Sequence, residues 1–227
     1  MGVWILIKIS LFFSLFALPS VALFFLGFIG PLGGFGIILS IPAAFPVGGA
    51  LCASMFCITK IFRREPDDIW FDFRRKFSEN FKQAMAPGIL CVLFVFAQAF
   101  LWWDLILSEA NIIWILTGLL SLLIFLTITP YIFLQMTYIV LKTSQILKNS
   151  LILSFANFSR SFLGAVCGGA IWIIFALTLP DSLSLTPVLA AFGCSLSMTL
   201  TLLWIWPIVD KQFDIAVILK KRSDEEK

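Results

Sequence analysis

The residue best suited to acid, base or metal chemistry is missing from this 227-residue chain: it has no histidine. That removes the usual general base and the usual imidazole ligand. Five cysteines remain, at Cys52, Cys57, Cys91, Cys167 and Cys194. None stands in a C-x-x-C pair and all fall within apolar runs, so they read as small buried hydrophobes rather than a zinc or redox site. There is no G-x-S-x-G and no pair of carboxylates inside an apolar run. Such an inventory points away from an enzyme and calls for no cofactor.

Glycine and proline gather between residues 28 and 49, where Gly30-Pro-Leu-Gly-Gly-Phe-Gly36 precedes Pro42-Ala-Ala-Phe-Pro46-Val-Gly-Gly. A phosphate loop needs a lysine after its glycines, and none follows here. The segment reads as a tight turn followed by a span kinked at Pro42 and Pro46, its small residues allowing close helix contact. A broken helix lining a solute path is the other reading. Gly164-Ala-Val-Cys-Gly168 is a further small-residue packing motif. Ionisable groups stay near the ends of the apolar runs (Lys8, Asp104, Asp210), so a proton relay is not indicated. Gln98, Gln135 and Thr199 are the polar groups nearest mid-span. Amides there commonly tie helices together.

The most distinctive surface is 67–84. Pro66 ends the preceding run, and Asp67 or Asp68 can cap a new helix. Ile69, Trp70, Phe73, Phe77, Phe81 and Ala84 then recur at spacings of three and four, with Arg74, Arg75, Glu79 and Lys82 turned elsewhere. Such a helix either lies along the inner leaflet, aromatic face in lipid, or caps the bundle from below. Trp70, Phe73, Phe77, Asn80, Phe81 and Lys82 are the candidate surface for a partner or for lipid. The segment 142–160 repeats the design more weakly, as a second surface helix or as the lower turns of a long fifth span.

The elements that must hold this surface follow from composition. The chain is 60% hydrophobic, 15% aromatic and 13% charged, with a mean hydropathy of +1.03. Soluble domains are about 25% charged, so a polytopic membrane protein is indicated. A net charge of +3 is too balanced for a nucleic-acid partner. Six apolar runs stand out, at about 4–28, 38–61, 86–106, 112–139, 161–180 and 185–208. None alternates at period two, so the expected fold is an all-α membrane bundle of six spans, with no β-barrel. The first run continues past Ser20-Val-Ala22, where a signal peptide would be cut, and is read as a retained span. Proline at 130 and 207 is expected to kink the fourth and sixth spans.

Basic residues settle the expected orientation. Seven fall between Lys60 and Lys82, three more at Lys142, Lys148 and Arg160, and five from Lys211 onward, with Lys8 completing the sixteen. The alternate connections, 29–37, 107–111 and 181–184, carry none. With six spans every cation falls on one side. The positive-inside rule makes that side cytoplasmic, together with both termini. Tryptophans near the span ends, at 4, 102, 103, 114, 204 and 206, fit the interfacial belt.

The stretch from Phe45 to Met85 resembles the YesL-like family of bacterial membrane proteins, whose domain has no assigned function. Pro46-Val-Gly-Gly-Ala50-Leu51, the basic turn Lys60-Ile-Phe-Arg-Arg-Glu65, Ile69-Trp-Phe-Asp-Phe73 and Phe77-Ser-Glu-Asn-Phe-Lys-Gln-Ala84 carry the likeness. Thr129-Pro-Tyr131 and Leu147-Lys-Asn-Ser-Leu151 extend it over most of the chain. Phe45 stands where the family usually has glycine, and Gly48-Gly49 where small polar residues or alanine are common. The resemblance implies a link to carbohydrate uptake. Together these readings give a non-enzymatic accessory protein of the bacterial cell membrane, in contact with lipids and with membrane proteins such as a sugar transporter. The alternative is a small transporter or channel for an uncharged solute, with a path past Gln98, Gln135 and Thr199.

Overall fold

A computed structural model describes residues 2–28, 30–65, 68–107, 111–139, 141–178, 186–215 and 217. Among them lie eight α-helices and no strand: α1 (Gly2–Phe28), α2 (Gly33–Ala43), α3 (Phe45–Phe62), α4 (Ile69–Leu107), α5 (Ile112–Tyr138), α6 (Thr143–Ala156), α7 (Phe158–Thr178) and α8 (Thr186–Phe213). Five are long and apolar enough to cross a membrane, and the bent pair α6–α7 makes six. In lipid a spanning backbone must satisfy its own hydrogen bonds, and helices do so. The chain is a polytopic helical membrane protein.

The centre of the bundle is α3. Of its residues 72% are buried, against 11% in the most apolar stretch of α5. Packed around it are α4, α1, α5 and α8. The second half of α5, from Pro130 to Tyr138, is buried as well, while Leu116, Leu119, Leu120 and Ile124 in its first half are exposed for lipid. Small residues let the backbones touch. A methyl group on Gly48 would overlap the Ala84 carbonyl, and one on Gly88 would sit 2.5 Å from the Gly48 nitrogen. The Gly164–Gly168 motif does the same between α7 and α8, with Ser197 donating to the Gly168 carbonyl at 2.8 Å. It is a packing motif, as its spacing implies.

The structure shifts two of the expected boundaries and decides a third between the two readings given for it. The first is 67–84, which is not a separate surface helix. It continues without interruption through Pro87 as the 39-residue α4, so the expected flat element along the leaflet is replaced by an extension of the third span. A proline inside a helix removes one backbone bond and can kink it; here close packing of Gly88 on Gly48 holds the helix together across that point. Phe16 stacks on Phe77 and Phe24 on Phe96. Between those contacts α1 rises about 12 Å and α4 about 28 Å. Helices running straight side by side advance together, so α1 and α4 are not straight and parallel between these contacts.

Second, the run 38–61 begins earlier, at Gly33, and is divided at Ala44 into α2 and α3. Pro42 closes α2. Pro46 opens α3, in the first turn, where its missing N–H costs nothing. The two prolines flank a division into two helices, where one kinked span was expected. Pro130 and Pro207, by contrast, sit inside unbroken helices. Third, 142–160 is a helix in its own right: α6 meets α7 at 97°. The connection 181–184, the glutamate at 109 and the basic tail from 218 onward lie outside the described residues.

Candidate functional site

The hairpin of α3 and α4 gathers most of the chain's described charge. Its turn is built by the backbone. The Glu65 and Arg64 amides donate to the Lys60 and Ile61 carbonyls, with Arg64 in the left-handed region at φ 59°; these two bonds close α3 as a Schellman motif. The side chain of Asp68 then accepts from the Trp70 amide at 3.0 Å and starts α4. Asp67, the other expected cap, lies outside the described residues.

The turn brings the last turn of α3 against the first turn of α4. Lys60 Nζ lies 2.5 Å from Asp72 Oδ2, with the two side chains only 11% and 7% exposed. The other oxygen of Asp72 meets Arg75 at 3.4 Å. One turn further, the buried Lys76 pairs with Glu79 at 2.5 Å, and its ammonium lies 5.1 Å from the centre of the Phe56 ring. Lys60 and Arg63 approach the same ring at 5.9 and 6.0 Å, and Arg63 also lies over Tyr138. The Tyr138 hydroxyl is 2.5 Å from that of Thr59. Charges held this way share aromatic faces and counter-ions, which offsets the cost of removing them from water.

This arrangement locks the end of α3 to the start of α4. The carboxylate is paired, and the Cys57 thiol is directed to the Ile69 carbonyl at 3.9 Å. Among the described residues no group of three His, Cys, Asp or Glu is placed to hold a metal ion.

The lock orients the candidate surface, and it turns part of it inward. Phe73 is 1% exposed, between Phe12 and Phe16 of α1. Phe77 stacks on Phe16 at 4.5 Å and is half-buried, as is Phe81 beside it. Asn80 is buried and donates to the Lys76 carbonyl within its own helix. Trp70 packs one side on Phe12 but remains 48% exposed, and Lys82 is exposed. Of the six, therefore, Trp70 and Lys82 face outward and Phe73 and Asn80 face the bundle. The outward strip also holds Phe71, 61% exposed, with Arg74, Arg75, Ser78 and Glu79.

Sequence reasoning missed Phe71 and the Lys60–Asp72 pair. The signal for the pair was present: Ile69, Asp72, Phe73, Lys76 and Asn80 share one helical stripe, and a charge within an apolar stripe needs a partner. The three mid-span polar groups are not brought together. Gln98 donates to Ser121 on α5 and accepts from Trp102; Gln135 donates to Ser150 on α6; Thr199 donates to a carbonyl of its own helix.

Compared with protein-family models, with curated proteins and with solved structures, the chain matches none.

Proposed function

We propose that this chain is a non-enzymatic accessory component of a bacterial cell membrane, with both termini cytoplasmic, that docks another membrane protein along the outward strip of α4. The observation that carries this reading is the length of that helix. Thirty-nine residues extend about 58 Å, whereas a bilayer's hydrocarbon core is about 30 Å thick. Several turns at the Ile69 end therefore stand clear of hydrocarbon, clamped to α3 by buried charge. Trp70, Phe71, Arg74, Ser78 and Lys82 are presented on a rigid support, and rigid aromatic anchors beside cations are what interfaces use. The link to carbohydrate uptake rests on the resemblance to the YesL-like family alone. The reading as a non-enzyme rests on the residue inventory, above all the missing histidine. The placement of every cation on one side supports the orientation.

Photo-crosslinking residues at Phe71, Arg74 and Ser78, each in the full chain in native membranes, are expected to capture one and the same membrane protein. A probe at the lipid-facing Leu119 is expected not to. Trp70→Ser with Phe71→Ser should abolish the adduct and lower uptake of the affected sugar. No common adduct, or the same adduct from Leu119, overturns docking along α4. Solute flux in proteoliposomes of the purified chain across a sugar panel would favour the transporter reading instead.

A further inference from the structure

We propose that α6 and the elbow joining it to α7 form an in-plane binding site for anionic phospholipid. Four independent features of the segment point to that occupant. The first is direction. Because α7 is read as crossing the bilayer and α6 leaves it at 97°, α6 runs close to the membrane plane.

The second is the division of its faces. Ile146, Ser150, Leu153 and Ser154 are buried, and Ser150 accepts from Gln135 of α5 at 2.9 Å, so one side of α6 is fixed to the bundle. The adjoining side carries Leu147, Leu151, Ile152 and Phe155, followed at the elbow by Phe158, all exposed, with Phe155 at 64%. An apolar strip of this kind on an in-plane helix seats at the boundary between headgroups and acyl chains.

Charge is the third feature. Lys142, Lys148 and Arg160 are exposed, and residues 139–180 contain no aspartate or glutamate at all. In the α3–α4 hairpin, by contrast, Lys60, Arg63, Arg75 and Lys76 each meet an acid, Asp72, Glu65 or Glu79. The cations around α6 have no acid in their own segment to meet, and anionic headgroups supply the complement. Lys148 shares the apolar side, where its long stem lifts the ammonium to headgroup level.

The fourth is shape. An open depression of about 310 Å³ lies in the crook of the elbow, lined by Phe155, Ala156, Asn157, Phe158, Ser159 and Arg160. Aromatic rings flank it and a guanidinium with a hydroxyl stands at its edge, the combination that a phosphodiester headgroup and its first acyl carbons require. The occupant argued here is a lipid, and its occupancy does not depend on the docking role proposed for α4.

The test uses the purified full chain in bilayers of phosphatidylcholine, with and without phosphatidylglycerol. Native mass spectrometry after gentle detergent transfer should show phosphatidylglycerol retained by the wild type, and retention about ten-fold lower in the K142Q/K148Q/R160Q variant. All three positions are exposed, so an unchanged helical circular dichroism spectrum is expected and checks the fold. A bimane label at Ile152→Cys, in a background with all five native cysteines replaced, should be quenched most by lipids carrying a nitroxide near the headgroup. Equal retention by variant and wild type overturns the anionic-lipid site. A label at position 152 quenched only by aqueous iodide, or shielded from both quenchers by a second copy of the chain, overturns the in-plane placement.

Discussion

Two segments of this chain carry the same pattern, an apolar stripe among basic residues between two spans, and they fold to opposite ends. In 69–84 the helix runs on into the membrane, Phe73 and Phe77 packed on α1 and its buried charges Asp72 and Lys76 paired. In 143–156 the helix stops, turns through a right angle and leaves its apolar side exposed beside cations that have no acid in their segment. The hairpin has a partner helix, α3, whose Gly48 lets Ala84 and Gly88 approach closely beside Pro87. The elbow contains no proline. Asn157 breaks it, at φ −118° and ψ 40°, its side chain and amide both turned back to the Leu153 carbonyl while its own carbonyl receives Ser161. Asparagine competes well for such backbone bonds outside helices. Amphipathic pattern alone therefore does not decide whether a basic aromatic helix is interior or interfacial; the neighbour available to it does.

The comparison can be broken most severely at Gly48. Gly48→Val drives a branched side chain into the backbone of Ala84, and a loss above about 4 kcal/mol is expected, read as the absence of a monodisperse species on size exclusion. Next comes the paired test of the two apolar faces. Phe73→Ala should lower stability by about 3–4 kcal/mol, whereas Phe155→Ala in detergent should change it by less than about 0.5 kcal/mol. Equal effects in thermal unfolding would erase the distinction between hairpin and elbow.

The charge lock is expected to contribute nearly as much. Lys60→Met leaves Asp72 buried with Arg75 at 3.4 Å as its remaining described counter-ion, at a cost of about 3 kcal/mol. Adding Asp72→Leu should return most of that stability, because a well-packed apolar pair can replace a buried ion pair. If the double variant is no better than the single, the pair is not the local determinant. The smallest effect is at the turn. Arg64→Gly relieves a left-handed residue that carries a side chain and should raise stability by about 1 kcal/mol.

The fold class was legible because hydropathy and the one-sided distribution of lysine and arginine are whole-chain properties, insensitive to local detail. The prolines at 42 and 46 signalled a disturbance, but their spacing did not say whether it would be a kink or the division into α2 and α3. Continuity of α4 through Pro87 was not. Nothing in the residues around 87 announces that Gly48, nearly forty positions earlier, will pack against it. The same holds for Phe73 and Phe77: their spacing defines a face, but only Phe12 and Phe16 of α1 decide that the face is covered. The Lys60–Asp72 pair was legible in principle, because Asp72 and Lys76 are charges within an apolar stripe and each needs a partner; the exposure of Phe71 was not.

The central claim is that the face through Phe73 and Phe77 is turned to α1 and that the strip through Phe71 is what α4 presents. It is tested most directly by cross-linking within membranes, on a cysteine-free chain carrying cysteine at Phe16 and at either Phe77 or Phe71. A short bis-methanethiosulfonate reagent should join 16 to 77 efficiently and leave 16 and 71 unjoined, the latter open to a water-soluble maleimide. Cross-linking of 16 to 71, or free maleimide access at 77 with no bond to 16, would contradict it.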